Sequence, residues 1–131
     1  MAFASRKFIL SFLLVAFLSL TAIILPTQQA RAGEETPVIE VVTLKLKPGV
    51  SAADFKPVDK AVEDEYVTKQ PGFLSRESAP GKDGTWLVIV HWRSVADADA
   101  SMKSFSTAPA ASKFMSMIVP ESMVMTRYGG E

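Results

Sequence analysis

The segment TWLVIVHWRS, residues 85–94, decides the fold of this protein. It predicts a β-strand, because β-branched and aromatic residues favour extended backbone. Alternation places its side chains on two faces, with Trp86, Val88, Val90 and Trp92 on one and Leu87, Ile89 and His91 on the other. Since both faces are largely apolar, we expect both to be covered in the native protein.

The preceding residues predict a strand followed by a helix. Residues 38–49 alternate in polarity and end at a Pro-Gly pair, which is typical of a strand and its turn. In residues 51–70, Ser51 and Asp54 form a helix-capping signature. The apolar residues that follow recur at helical spacing: Phe55, Val58, Val62 and Tyr66. Pro57 requires an irregular first turn if Ser51 is the cap, and is harmless if Asp54 is the cap.

The remaining segments complete a β-α-β-β-α-β order. We expect a strand at residues 73–78 and a hairpin loop at 79–84. After the strand at 85–92 a helical region begins at its cap Ser94, is interrupted at Pro109 and ends at Pro120. A last strand follows at residues 123–130. This order predicts an α+β ferredoxin-like sandwich, a four-stranded sheet with both helices on one face. The helices cover only that face, so we expect a homodimer that closes into an α/β barrel through its sheets.

The first 32 residues predict a secretory signal peptide. Arg6 and Lys7 precede an apolar run of 18 residues, and a small-x-small cleavage site ends at Ala32. Cleavage after Ala32 predicts a periplasmic or secreted protein. The alternative is an uncleaved membrane anchor, because the run is just long enough to cross a bilayer.

The mature chain is divided into a linker at 33–37, a domain at 38–128 and a tail at 129–131. The whole chain has equal numbers of acidic and basic residues, but the signal segment holds Arg6, Lys7 and Arg31 and no acid. The mature chain is therefore acidic by three charges, which argues against a nucleic-acid partner. There is no Cys, so no disulfide supports the fold.

Three segments resemble the antibiotic biosynthesis monooxygenase group of dimeric α/β barrels: VVTLKLKPG, QPGFLSRES and WLVIVHWRSVADADAS. The resemblance implies a pocket between sheet and helices in which a small aromatic or apolar molecule reacts with O₂ without a cofactor. Haem-degrading members use an Asn on the first strand, where this sequence has Val42. They also use a haem-ligating His late in the second helical region, and the matching residues 109–117 contain no His. Only their Trp is matched, by Trp92, so we expect no haem degradation.

Trp92 and His91 are the predicted catalytic residues, and the predicted ligand-binding residues are Trp86, Val42, Tyr66 and Arg76. Four of them have a structural alternative: Trp92 and Tyr66 as core residues, His91 as a rim residue of the barrel, and Arg76, like Arg127, as an ion-pair partner of Glu77, Glu40 or an acid of a second chain. We expect no cofactor and no metal, since one His without Cys does not make a zinc site.

Four methionines near the C-terminus are also open to two interpretations. Met115, Met117, Met123 and Met125 are flexible core fillers or, in an exported protein, thioether ligands for Cu(I). Two functional hypotheses follow from the sequence as a whole: an exported monooxygenase, or a non-catalytic dimeric module that binds a small molecule.

Overall fold

The computed structural model describes residues 35–130, so the predicted signal peptide lies outside the described residues. The elements follow the predicted order, with the second helical region in two parts: β1 (Val38–Leu46), α1 (Ala52–Glu65), a 3₁₀ turn (Val67–Lys69), β2 (Phe73–Pro80), β3 (Thr85–Trp92), α2 (Val95–Phe105), α3 (Pro109–Met117) and β4 (Ile118–Gly129).

The four strands form one antiparallel sheet in the order β2-β3-β1-β4. Helices lie on one face only, which confirms the ferredoxin-like α+β prediction. The segment quoted at the outset forms most of β3, a central strand whose residues alternate between buried and half-buried. Trp86, Val88, Val90 and Trp92 point to the helices and are at most 5% exposed.

Two strands extend further than the sequence predicted, and each contains a proline. β2 continues to Pro80, which pairs with Trp86, although residue 79 was predicted to begin the hairpin loop. β4 starts at Ile118 and includes Pro120, which was predicted to separate the helix from the strand. Both are edge strands, where a missing backbone N–H can face away from the sheet, so proline is tolerated.

Helix α1 begins with the predicted capping box. The Ser51 side chain accepts a hydrogen bond from the backbone N–H of Asp54, and the Asp54 carboxylate accepts one from the backbone N–H of Ser51. Ser51 rather than Asp54 is therefore the cap, and Pro57 lies inside the helix. The hydrogen bonds from Ser51 lower the pKa of the Asp54 carboxyl from its ordinary value.

The core lies between the sheet and the helices. Phe55 of α1 is fully buried, and its ring packs edge-on against Trp86 and at a tilt against Phe114 of α3, at centroid distances of 5.1 and 5.0 Å. Ser106, Thr107 and Ala108 separate α2 from α3, and Pro109 occupies the first turn of α3, where its missing N–H costs nothing. None of the helices within residues 35–130 is both long and apolar enough to span a membrane.

The outer face of the sheet, which we define as the face without helices, is mostly apolar near its centre. The register aligns three rows across β3, β1 and β4: His91–Ile39–Tyr128, Ile89–Val41–Thr126 and Leu87–Thr43–Val124. Ile39, Val124 and Tyr128 are exposed on a single chain, at 38%, 59% and 58%.

Candidate functional site

A cavity of about 270 Å³ lies between the inner face of the sheet and the helices. The cavity is lined by residues of β1, β3, β4 and all three helices, and Arg76 of β2 also borders it. Its wall is almost entirely apolar, with Trp92, Phe105 and Phe114 as the aromatic members besides Tyr66. Cavities with mostly apolar walls and a few polar groups are the usual form of a small-molecule site.

Four of the six predicted site residues border this cavity: Val42, Tyr66, Arg76 and Trp92. Val42, Arg76 and Trp92 come from β1, β2 and β3 and point to the helix side of the sheet, and Tyr66 comes from the end of α1 in the helix layer above it. The sequence therefore predicted three of the eight polar or aromatic residues of the wall, namely Tyr66, Arg76 and Trp92.

The other two predicted residues lie elsewhere. Trp86 is on the inner face but packs against Phe55 and borders a separate, smaller cavity of about 240 Å³ beside the start of α1, so it does not meet a ligand next to Trp92. His91 is on the outer face, opposite Ile39, because side chains alternate along β3. Within one chain His91 and Trp92 do not share a site.

Trp92 occupies the last position of β3 and is 2% exposed. Its ring meets Phe73 edge-on at a centroid distance of 6.1 Å. Its indole Nε1–H is buried and has no hydrogen-bond partner in the described part of the chain, which is also true of the Trp86 indole outside this cavity. An unpaired buried donor costs about 1–3 kcal/mol, so an acceptor that reached this N–H would remove a real penalty.

The hydroxyl of Tyr66 is engaged by α2. Tyr66 is the C-cap of α1, and its hydroxyl donates to the Ser101 carbonyl at 2.5 Å and lies 2.7 Å from the Ser104 hydroxyl. The ring packs against Phe105 at a centroid distance of 5.6 Å. Tyr66 thus borders the cavity and holds α2 against α1, which combines its predicted pocket role with its predicted core role.

Arg76 forms a buried ion pair with Asp59 of α1. Its two terminal nitrogens donate to the two carboxylate oxygens at 3.1 and 2.6 Å, and the Ser78 hydroxyl adds a third hydrogen bond at 2.6 Å. The Arg76 and Asp59 side chains are only 2% and 3% exposed. Pairing was the favoured interpretation and is confirmed, but Asp59 was not among the expected partners: Glu77 points to the outer face, and Glu40 pairs with the second arginine for which the sequence offered it.

That other arginine is Arg127 of β4. Its Nε donates to Glu40 at 2.9 Å and its Nη1 to Asp99 of α2 at 2.5 Å. Partial burial opposes the charged form of Arg127, but the hydrogen bonds to Asp99 and Glu40 outweigh it and raise the pKa of the guanidinium above its ordinary value. Glu40 borders the cavity and is 5% exposed.

The cavity therefore presents no uncompensated charge among the described residues. Its two charged wall residues, Glu40 and Arg76, are each paired with an opposite charge behind the wall. Transfer of an ionised ligand into such a site is costly, so the wall favours a neutral molecule. In residues 35–130 no group of three or more His, Cys, Asp or Glu side chains could hold a metal ion.

Sequence reasoning missed the buried carboxylate behind the wall and part of the wall itself. Asp59 stands within the apolar stripe of α1, four residues after Phe55 and three before Val62, and this position was the available signal for a buried carboxylate. Met102 also borders the cavity although the sequence did not single it out, whereas Met117 was singled out and does not border it.

No protein-family model matches the sequence, and no curated protein is significantly similar to it. Solved structures, however, share its fold. The cofactor-independent oxygenase SnoaB from Streptomyces nogalater is 14% identical, with 72% of this chain and 93% of that chain covered and a TM-score of 0.59. A proposed antibiotic biosynthesis monooxygenase from Caulobacter crescentus CB15 is 19% identical, with 72% and 90% covered and a TM-score of 0.58.

A conserved protein from Methanosarcina mazei Go1 is 10% identical, with 75% of this chain and 96% of that chain covered and a TM-score of 0.56. At these identities the likeness shows the fold, which is the one that the sequence resemblance implied. Function does not follow from a shared fold, so it has to be argued from the cavity.

Proposed function

We propose that this protein binds a small, neutral, aromatic or apolar molecule in the cavity between sheet and helices and oxygenates it without a cofactor. The observation that carries the proposal is an apolar cavity bordered by Trp92, whose buried indole N–H lacks a partner within residues 35–130. For a carbonyl or hydroxyl oxygen on the ligand to accept this hydrogen bond, the side chains that bury the N–H have to move aside.

In the proposed reaction the substrate supplies the electrons. Loss of the hydroxyl proton of a phenolic substrate gives an anion with carbanion character at a ring carbon, which reacts directly with O₂; that carbon loses its hydrogen and becomes a quinone carbonyl, and the second oxygen atom leaves as water. The protein would contribute orientation and a dry site, both of which lower the barrier without a metal or flavin. His91 is not part of this proposal, because it lies on the outer face.

The test is O₂ consumption by the mature protein with a panel of dihydroxyaromatic substrates, compared between wild type and Trp92→Phe. We expect turnover by wild type and a loss of about tenfold or more in kcat/KM for the variant, which keeps an aromatic ring but lacks the N–H. Trp86→Phe is the matched control, since Trp86 does not border this cavity. Equal losses in the two variants would show that the Trp92 N–H has no special role.

A second candidate function is a non-catalytic binding module that uses the same cavity. The specific observation in its favour is that the polar wall residues are engaged elsewhere: Tyr66 with α2, Arg76 with Asp59, and Glu40 with Arg127. Among the described wall residues no free general base then remains to remove a proton from a bound substrate. Saturable ligand binding without O₂ consumption over the whole panel would favour this module.

We also propose that two copies pair through the outer face. Its exposed apolar residues have no cover within residues 35–130, and complete burial of a large apolar side chain contributes about 1.5–3 kcal/mol. Light scattering should give the mass of a dimer at micromolar concentration, and Ile89→Lys should give a folded monomer. Ser75→Lys, on the same face of the edge strand, should remain dimeric; a monomeric wild type would refute the pairing.

Export is proposed on the sequence of the first 32 residues alone. Expression of the full chain with cell fractionation should place the mature protein outside the cytoplasm, and N-terminal sequencing should begin at Gly33. Recovery of the full-length chain in the membrane fraction would support the uncleaved anchor instead.

A further inference from the structure

Two buried polar side chains at the cavity each have an oxygen atom without a hydrogen-bond partner. Glu40 of β1 and Ser101 of α2 are 5% and 6% exposed, and both border the cavity. Within residues 35–130 the Glu40 side chain accepts one hydrogen bond, from Arg127 to Oε2, which leaves Oε1 unpaired. The side-chain hydrogen bonds that reach Ser101 in the same range end on its backbone carbonyl, so its Oγ is unpaired as well.

Both oxygen atoms are open to a small molecule. Among the residues that the structure describes, the unpaired side-chain atoms that are completely enclosed are the indole nitrogens of Trp86 and Trp92. Glu40 Oε1 and Ser101 Oγ are not among them, so each retains some accessible surface. Since both residues border the cavity and are otherwise buried, the cavity gives a ligand access to this surface. Unlike the N–H of Trp92, these oxygens are reached without moving the wall aside.

The two oxygens belong to one region of the cavity. Arg127 joins Glu40 to Asp99 of α2, and Ser101 follows Asp99 by two residues, about 3 Å along the helix axis. We call Glu40 Oε1 and Ser101 Oγ the polar end of the cavity. By contrast, the part of the wall around Phe114 belongs to the aromatic core. The cavity therefore suits a molecule with a polar group at one end and an apolar body.

The two groups of the polar end complement each other. A carboxylate oxygen only accepts hydrogen bonds, whereas a serine hydroxyl also donates. The ion pair with Arg127 balances the charge of Glu40 but uses only one of its two oxygens, so a neutral donor suits the other. A hydroxyl group on the ligand can donate to Glu40 and accept from Ser101. An ether of the same shape can only accept, and would leave Glu40 Oε1 covered without a donor, which is costly.

We infer that Glu40 and Ser101 bind the ligand and select molecules that carry a hydroxyl group at one end of an apolar body. The inference rests on the proposed binding function of the cavity, and neither residue is among the predicted site residues. A site that is built to hydrogen-bond a hydroxyl group rejects analogues that lack it. The protein should therefore distinguish an alcohol from an ether of equal size.

The experiment compares two neutral isomers with the same skeleton, 4-methylbenzyl alcohol and 4-methylanisole. They differ only in the order of the last carbon and oxygen, CH₂OH or OCH₃, so the alcohol alone is a donor. Calorimetric titration of the mature protein gives a Kd for each isomer, and we define the preference as the Kd of the ether divided by that of the alcohol. Wild type should show a preference of about tenfold or more.

Three variants separate the roles of the two residues. Glu40→Met removes the charged acceptor and should lower the preference by about tenfold or more. Ser101→Ala should weaken the binding of both isomers by about threefold and leave the preference unchanged, because either oxygen accepts from Ser101. Asp99→Ala is the matched control: its carboxylate pairs with the same arginine as Glu40, but its side chain is 63% exposed and does not border the cavity. It should leave both Kd values unchanged.

Circular dichroism and thermal unfolding verify that the variants fold, and binding of the ether shows that the cavity is intact. If Glu40→Met does not fold, Glu40→Gln keeps the shape but offers a weaker, neutral acceptor, and the preference should fall by about threefold or more. Equal wild-type affinities, a preference that survives in the folded Glu40 variant, or an equal fall in Asp99→Ala overturns the inference and leaves the binding function standing. Failure of wild type to bind either isomer or any dihydroxyaromatic molecule overturns the proposed function and the inference together.

Discussion

Removal of the Arg76 guanidinium would leave the Asp59 carboxylate buried without its cation. In the native chain two hydrogen bonds of 3.1 and 2.6 Å join these groups, and both side chains are at most 3% exposed. Breaking such a pair from one side costs about 3–5 kcal/mol, a large share of the roughly 5–15 kcal/mol that keeps a domain folded. We expect Arg76→Met to lower the free energy of unfolding by about 3–5 kcal/mol.

Urea unfolding followed by tryptophan fluorescence and circular dichroism gives this free energy. The double variant Asp59→Leu/Arg76→Met removes both charges and should recover most of the loss, to within about 2 kcal/mol of wild type. Arg93→Met is the surface control: Arg93 pairs with Asp97 but is 54% exposed, so its loss should cost under about 1 kcal/mol. Equal costs for Arg76→Met and Arg93→Met would refute the claim that the Asp59 pair is desolvated.

Three further predictions concern the helices and turns. Tyr66→Phe removes the hydroxyl that holds α2 and should destabilise the protein by about 1–3 kcal/mol in urea unfolding while circular dichroism stays unchanged; a neutral effect would mean that α2 is held otherwise. Gly72→Ala should destabilise far more than Gly49→Ala, because both have positive φ but only at Gly72 would a Cβ collide with another side chain, that of Asp97; equal thermal shifts would contradict this. Ser51→Ala should raise the pKa of Asp54 toward its ordinary value in an NMR titration. A depressed carboxyl pKa adds stability to the fold above the unfolded-state pKa, and this added stability is lost as the pH falls through the folded-state pKa. The variant lacks most of this contribution and should therefore lose less stability on acidification. An unchanged pH profile would count against this prediction.

The order of helices and strands was readable from the sequence because it depends on local periodicity. Alternation along β3 and the helical stripe of α1 follow from residue spacing alone, and the structure confirms both. The extents of the edge strands were not readable, because Pro80 and Pro120 are strand breakers by local rules. They are tolerated only because the finished sheet places both strands at its edges, which is a property of the topology.

The candidate site, like the strands, could be read from the sequence only in part. The sequence by itself determined which side chains point to the helix side of the sheet, and so brought Val42, Arg76 and Trp92 to one wall. Only the tertiary structure decided that space remains between them, that Asp59 rather than Glu77 neutralises Arg76, and which methionines face that space. The physical reason is that periodicity fixes the direction of a side chain from its own backbone, whereas a cavity and an ion pair depend on the separation of two layers whose residues are far apart in the chain.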